Sequence, residues 1–121
     1  MDIGVCMSRS TLRDKLSLRD DPNPETTWNL RSWPQGFRDG DLNRLFVAAD
    51  GAWRGYFTFT DALFNPRDRA VPYAILIDTR SWTAISPVPV HRFRGFTYAV
   101  PTVTSSFHTS TVTGPPPTRS R

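Results

Sequence analysis

The chain has 121 residues, 15 basic against 11 acidic side chains and a formal net charge of +4, which is enough chain for one domain to bury a core without disulfides or metals. One cysteine, two distant histidines and the lack of a long apolar run argue against a disulfide framework, a zinc site, a signal peptide and a membrane span. We therefore expect a soluble, cytoplasmic protein with no membrane association, no cofactor and no metal.

Residues 1–25 predict a loosely attached N-terminal segment with one short helix. Leu12 and Leu16 lie four residues apart, as on one face of a helix, and Ser10 or Thr11 is placed to cap it. The helix is expected to end before the sequence DDPNPE, because proline restricts the preceding residue and cannot continue a helix.

Two tryptophans, Trp28 and Trp33, follow in an irregular, proline-bounded segment. No strand or helix period gives them a reason to be buried, so both are candidates for stacking against a nucleobase. The alternative is that one of them plugs the open end of a barrel.

The next segment predicts a β-hairpin. Leu45–Ala49 form the first strand, Asp50 and Gly51 supply a turn that tolerates positive φ, and residues 52–61 return. Strict alternation along the return strand predicts a core face with Trp53, Gly55, Phe57 and Phe59, and a partly wet face with Arg54, Tyr56, Thr58 and Thr60.

Three more strands are predicted at residues 73–78, 81–86 and 95–100. The first of these, YAILID, is apolar enough to suggest cover on both faces. Five short strands with little helix predict a mainly β (α+β) fold in which a small curved sheet closes into a barrel. Residues 102–121 are rich in Ser, Thr and Pro, which predicts a disordered tail.

A motif of aromatic, Arg, Gly and aromatic occurs twice, at residues 53–56 and 93–96. Glycine inside a strand pattern marks a bulge or a close approach of another chain segment. Arg54 shares a predicted face with Tyr56, and Arg92 and Arg94 flank an aromatic residue. Interleaved cations and rings can pair with phosphates and stack on bases, although a solvated face would explain the same pattern.

The sequence RGFTYAV also resembles the third strand of an RNA recognition motif. That fold needs two amphipathic helices under its sheet, and residues 28–101 contain no window with the helical period. We therefore rank this fold lower.

A wider resemblance spans residues 26–100. The order TTWNLRSWP, FRDGDLNRLFVAADG, WRGYF, LIDTRSW and PVPVHRFRGFTY is similar to the PUA-like superfamily, in particular its EVE and ASCH branches. The resemblance implies a small mixed β-barrel at residues 26–101, with short helices and a cleft lined by aromatic side chains that binds RNA or a modified nucleobase. The Gly-x-Lys motif of many ASCH domains is absent, which puts a ribonuclease activity in doubt.

The sequence thus predicts a nucleic-acid-binding domain for RNA or a modified base. The predicted contacts are Trp28, Trp33, Arg54, Tyr56, Arg92 and Arg94. No catalytic residue is assigned: His91 could act as a general base if it faced a cleft, but a histidine in a proline-flanked loop beside an arginine is more often simply exposed. The alternatives are a small ASCH-type ribonuclease and a protein–protein interaction module that uses exposed aromatic residues.

Overall fold

The computed structural model describes residues 1–64 and 70–102. Within them the chain is mostly β, with one α-helix and one short 3-10 helix. In chain order the elements are β1 (Asp2–Cys6), α1 (Arg9–Ser17), the 3-10 helix (Leu18–Asp20), β2 (Glu25–Leu30), β3 (Arg44–Ala49), β4 (Ala52–Phe64), β5 (Tyr73–Pro89) and β6 (Phe96–Thr97). No helix of these residues is long and apolar enough to cross a lipid bilayer.

The strands form one mixed sheet in the order β2-β5-β4-β3-β1-β6. All neighbouring pairs are antiparallel except β1 and β3, which are parallel. The sheet curls into a half-barrel, which confirms the mainly β, barrel-like fold. In the described part of the chain no ladder joins β2 to β6, so these two strands are the edges of the sheet.

The N-terminal residues belong to the sheet, so the expectation of a loosely attached segment at residues 1–25 does not fit the structure. β1 lies between β3 and β6, and Ile3 and Val5 are buried in the main core. Ile3 and Val5 do alternate with Asp2, Gly4 and Cys6, but five residues with a glycine at their centre are a weak strand signal. Tertiary pairing, not local pattern, makes it a strand.

The predicted short helix is present, but its cap lies earlier than expected. The hydroxyl of Ser8, not of Ser10 or Thr11, accepts a hydrogen bond of 3.1 Å from the backbone N–H of Thr11. Leu12 and Leu16 pack against the main core as their spacing indicated.

Two groups of buried side chains lie on opposite faces of the sheet. We call the larger one the main core and the smaller one the second core. The main core consists of Ile3, Val5, Met7, Leu30, Leu45, Val47, Phe57, Phe59, Ile75 and Ile77. The second core consists of Phe46, Ala48 and Trp53.

The predicted hairpin is confirmed. Asp50 and Gly51 have φ of 55° and 79°, the two consecutive positive values that a type I′ hairpin turn requires. β3 and β4 pair on either side of this turn, and β4 continues beyond the predicted end to Phe64.

Strict alternation along β4 fails at Arg54. Val47 pairs with Gly55 and Ala48 pairs with Trp53, so Arg54 is an extra residue that forms a β-bulge. The bulge moves Trp53 from the predicted face, which it was to share with Phe57, onto the second core. Trp53 is buried as expected, but on the opposite side of the sheet.

The remaining strands differ in extent from the prediction. Trp28 lies on the regular strand β2, not in the irregular, proline-bounded segment that is predicted for it. The predicted strands at residues 73–78 and 81–86 form one continuous strand, β5, in which Ile75 and Ile77 are buried and the alternate residues are half-buried. Only Phe96 and Thr97 of the last predicted strand pair with β1. Apart from Thr102, the predicted disordered tail lies outside the described residues.

Candidate nucleic-acid interface

A cleft of about 1280 Å³ lies between the two edges of the half-barrel. One wall comes from β2 and the residues after it, including Trp28 and Trp33, and the other from residues 92–98. Because the sheet curls, segments that are far apart in the chain and at opposite ends of the strand order line the same space. The cleft therefore brings together Trp28, Trp33, Arg92 and Arg94, four of the six residues predicted as nucleic-acid contacts.

One hydrogen bond joins the two walls. The backbone N–H of Gln35 donates to the hydroxyl of Tyr98 at 2.8 Å. Both residues line the cleft. The segment after β2 is thus fixed to the segment after β6 without a strand ladder between them.

The charged side chains of the cleft are all cationic. Arg31, Arg92 and Arg94 line it and are exposed to solvent. Among the described residues, none of its lining side chains is a carboxylate. The cleft therefore presents positive charge that no acidic neighbour in its wall offsets.

Aromatic side chains cover much of the rest of the lining. Trp33 packs edge-on against Tyr73, with ring centroids 5.7 Å apart, and Phe96 packs edge-on against Tyr98 at 5.4 Å. Phe93 is anchored differently, because its ring lies 5.7 Å from that of Trp53 in the second core. These contacts hold the rings in place while Tyr98 remains 52% exposed.

Trp28 is partly occupied by a contact within the protein. The Lys15 ammonium lies 5.5 Å from the centre of the Trp28 ring and donates a hydrogen bond of 3.2 Å to the carbonyl of Thr27. Burial at this position lowers the pKa of Lys15 below its ordinary value. The Trp28 ring is therefore held in place by Lys15 on one wall of the cleft.

The other two predicted contacts, Arg54 and Tyr56, do not line the cleft. Arg54 sits in the bulge, where its Nε and Nη2 donate to the carbonyls of Ala49 and Asp50 at 2.9 and 3.2 Å and brace the hairpin turn. The Tyr56 ring packs 5.1 Å from that of Phe46, and the Arg44 guanidinium lies 5.4 Å from its centre. The two copies of the repeated motif thus occupy different environments.

Four further residues that are not among the predicted contacts also line the cleft: Arg31, Phe93, Phe96 and Tyr98. Arg31 lies between the two predicted tryptophans, which was a usable signal. Phe96 and Tyr98 are two residues apart, as on one face of a strand. Their closeness to β2 depends on the curl of the sheet, which no local pattern encodes.

Acid–base and metal chemistry have few candidates here. His91 is exposed and is not part of the lining of the cleft. In residues 1–64 and 70–102, no group of three or more His, Cys, Asp or Glu side chains is arranged to hold a metal ion. Apart from arginines, the titratable side chains of the lining are Cys6 and Tyr98.

No family model, curated protein or solved structure matches the chain.

Proposed function

We propose that the chain binds single-stranded nucleic acid, RNA or a strand with a modified base, in the cleft between β2 and β6. The proposal rests on one observation: Trp33, Arg92 and Arg94 line the same cleft, at the opening of the half-barrel. Membership of the PUA-like superfamily is part of the same proposal, with β1 included in the domain.

Charge supports a polyanionic ligand. Arginine presents a planar fork of N–H donors that pairs with phosphate through two bonds. Three exposed arginines in a lining without carboxylates can pair with more than one phosphate. A neutral ligand would leave this excess of positive charge uncompensated.

Ring stacking supports an unpaired strand. Bases stack on aromatic side chains only when they are not stacked inside a duplex, and such stacking tolerates any sequence. Trp33 and Tyr98 border the cleft from its two walls and are the platforms we propose for two bases. The volume of about 1280 Å³ exceeds the roughly 300–1,000 Å³ of ordinary small-molecule pockets, which favours a strand over a free base.

Neutral polar groups favour RNA over DNA. Asn29, Ser32 and Gln35 line the wall that follows β2. Amide and hydroxyl side chains can both donate and accept hydrogen bonds, as a ribose 2′-hydroxyl does. We therefore expect tighter binding to RNA than to DNA of the same sequence.

Cleavage of the strand has less support than binding. A ribonuclease needs a general base within hydrogen-bond reach of its substrate. The cleft offers Cys6 and Tyr98 as its titratable groups besides arginines, and neither has a paired acid or base in the lining. Binding is accordingly the activity we propose.

The test is fluorescence anisotropy with labelled single-stranded RNA and DNA of one sequence, plain and base-modified. The variant is Arg92→Ala/Arg94→Ala. The matched control is Arg38→Ala/Arg80→Ala, which removes two exposed arginines outside the cleft. If both cleft arginines contact phosphate, their loss should lower the slope of log affinity against log salt by about 1.4, while the control changes affinity much less.

A second readout locates the ligand. Cys6 is the only cysteine of the chain and it lines the cleft, so bound RNA should slow its alkylation by a maleimide. Binding that is equal in both double variants, with no protection of Cys6, would put the RNA elsewhere. Absence of binding to every strand at low salt would overturn the proposal and favour a protein partner.

A further inference from the structure

A second recess, of about 540 Å³, lies between α1 and the turn of the β3–β4 hairpin. Its floor is apolar, with Leu12, Leu16 and Ala49, and its rim carries four arginines: Arg9, Arg13, Arg19 and Arg54. None of its lining residues is shared with the cleft between the sheet edges. We call it the arginine recess.

The arginines of this recess are held by different partners. Arg54 is fixed by the carbonyls of Ala49 and Asp50, and Arg19 donates its Nε to the carbonyl of Leu16 at 3.1 Å. Arg9 pairs with the Asp50 carboxylate through Nη1 at 3.2 Å. These bonds fix the orientation of the three guanidinium groups. Each group has five N–H donors, so some donors of each are not used in these bonds.

Arg13 differs from the other three. Within the described residues, its side chain makes no hydrogen bond or ion pair with the protein, and it is exposed. It lies one turn after Arg9 on the same face of α1, and like charges at this spacing repel. Arg9 also stands in the first turn of α1, where a positive charge opposes the helix dipole.

The local charge balance favours an anion. Asp20 in the lining and Asp50 beside Arg9 offset two of the four arginines, which leaves an excess of two positive charges. A dianion at the rim would compensate this excess and relieve the repulsion between Arg9 and Arg13. Phosphoryl groups carry this charge, and arginine forks match their geometry.

We propose that the arginine recess is a second, independent binding site for a phosphoryl group, supplied either by a nucleic-acid strand or by a phosphorylated small molecule. Arg13 and Arg19 provide the groups that bind the anion, and Arg54 and Arg9 are braced beside them. The site does not depend on the cleft, because no side chain is common to the two linings.

The experiment uses the full chain and sodium pyrophosphate as the probe, followed by the NMR signals of Leu12, Leu16 and Ala49. We expect saturable shifts that exceed those caused by sodium chloride of equal ionic strength. Arg13→Gln should weaken pyrophosphate binding about tenfold, since one charge-assisted hydrogen-bonding group is lost. Arg80→Gln, which changes an exposed arginine that does not line the recess, is the matched control and should leave the affinity unchanged.

Two further arms separate the sources of phosphate. A 5′-phosphorylated oligonucleotide that loses its advantage over the unphosphorylated one in Arg13→Gln indicates a terminal phosphate. Equal weakening of both indicates internal phosphates, and pyrophosphate binding without any oligonucleotide effect indicates a small phosphorylated ligand. Shifts no larger than those from chloride, or equal losses in Arg13→Gln and Arg80→Gln, would overturn the proposal.

This outcome is distinguishable from failure of the proposed RNA cleft. The Arg92→Ala/Arg94→Ala variant should keep pyrophosphate binding in the recess even where it loses RNA. Conversely, RNA binding that protects Cys6 stands whether or not pyrophosphate binds. Far-UV circular dichroism checks that each variant stays folded.

Discussion

The backbone N–H of Gln35 donates a hydrogen bond of 2.8 Å to the hydroxyl of Tyr98, 63 residues later in the chain. This bond connects the segment after β2 with the segment after β6, the two edges of a sheet that no strand ladder in the described residues closes. The Tyr98 hydroxyl therefore helps to set the distance between the two walls of the cleft.

Replacing Tyr98 with Phe should loosen this connection. The bond is solvent-exposed, so its loss should cost only about 0.5–1 kcal/mol of stability. The amide proton of Gln35 should exchange with solvent measurably faster in NMR hydrogen exchange. Tyr73→Phe, which removes a hydroxyl from a ring that packs beside Trp33, is the control, and equal Gln35 exchange rates in the two variants would contradict the expected role of Tyr98.

Gly4 should not tolerate a side chain. A Cβ atom at this position would overlap the ring of Trp53 and meet the side chain of Val100. Because Gly4 lies on a strand that is paired on both sides and Trp53 is buried, neither can move away freely. Gly4→Ala should therefore lower the free energy of unfolding by about 1–3 kcal/mol in urea denaturation.

A double-mutant cycle identifies the clash. In a Trp53→Leu background, which opens space above Gly4, the cost of Gly4→Ala should fall clearly below its cost in the original chain. Additive effects of the two substitutions would mean that Trp53 is not the group that excludes a side chain.

The ion pair between Asp2 of β1 and Arg44 of β3 should contribute more to stability than the exposed pair of Arg9 and Asp50. Arg44 donates Nε and Nη2 to the two carboxylate oxygens of Asp2, each at 2.9 Å, and the side chains are 18% and 30% exposed. Asp2→Asn should cost about 1–2 kcal/mol in denaturant unfolding, since one fork of charge-assisted bonds is lost in a partly buried place.

Asp50→Asn is the matched control. Arg9 and Asp50 are 71% and 61% exposed, so loss of their pair should cost about 0–1 kcal/mol. Asparagine also tolerates the positive φ of this position, which keeps the turn unchanged. A larger effect at Asp50 than at Asp2 would contradict the ranking by burial.

Lys15 should titrate below its ordinary pKa. Burial disfavours the charged ammonium and lowers the pKa of Lys15 in the folded protein. The unfolded chain then binds the proton more tightly, so this group makes stability rise as pH increases from the folded pKa to the unfolded one. Lys15 is the only lysine, so lysine labelled with ¹³C at Cε gives a single NMR signal to follow. Equal midpoints with and without denaturing urea would contradict this expectation.

The hairpin and the N-terminal strand show what local sequence could and could not predict. Asp50 and Gly51 determine the turn by their tolerance of positive φ, so the hairpin was predictable. β1 was not, because its five residues become a strand only through pairing with β3 and β6. β2 was hidden by the prolines that precede it.

The residues of the candidate site were also predictable only in part. Residue type selected Trp28, Trp33, Arg92 and Arg94, which share the cleft. The first copy of the repeated motif predicted Arg54 as a contact, but the bulge turns the Arg54 side chain toward the hairpin turn and not into the cleft.

The glycines of the two motif copies, Gly55 and Gly95, are required for different structural reasons. A side chain at Gly55 would collide with the backbone of Thr83 and the ring of Trp82, whereas Gly95 has open space and a φ of +67°. One glycine is required by crowding and the other by backbone conformation. A shared sequence pattern therefore does not establish a shared role.

The position of β1 has a consequence for the order of assembly. β1 is synthesised before the strands that flank it, and its parallel partner, β3, begins 42 residues later at Arg44. The β3–β4 hairpin closes a two-residue loop and can form early, whereas β1 must wait until its neighbours have emerged. Pulse-labelled hydrogen exchange during refolding should accordingly protect the amides of β3 and β4 before those of β1. A strand that leaves the ribosome before both of its neighbours is then among the last to join the sheet.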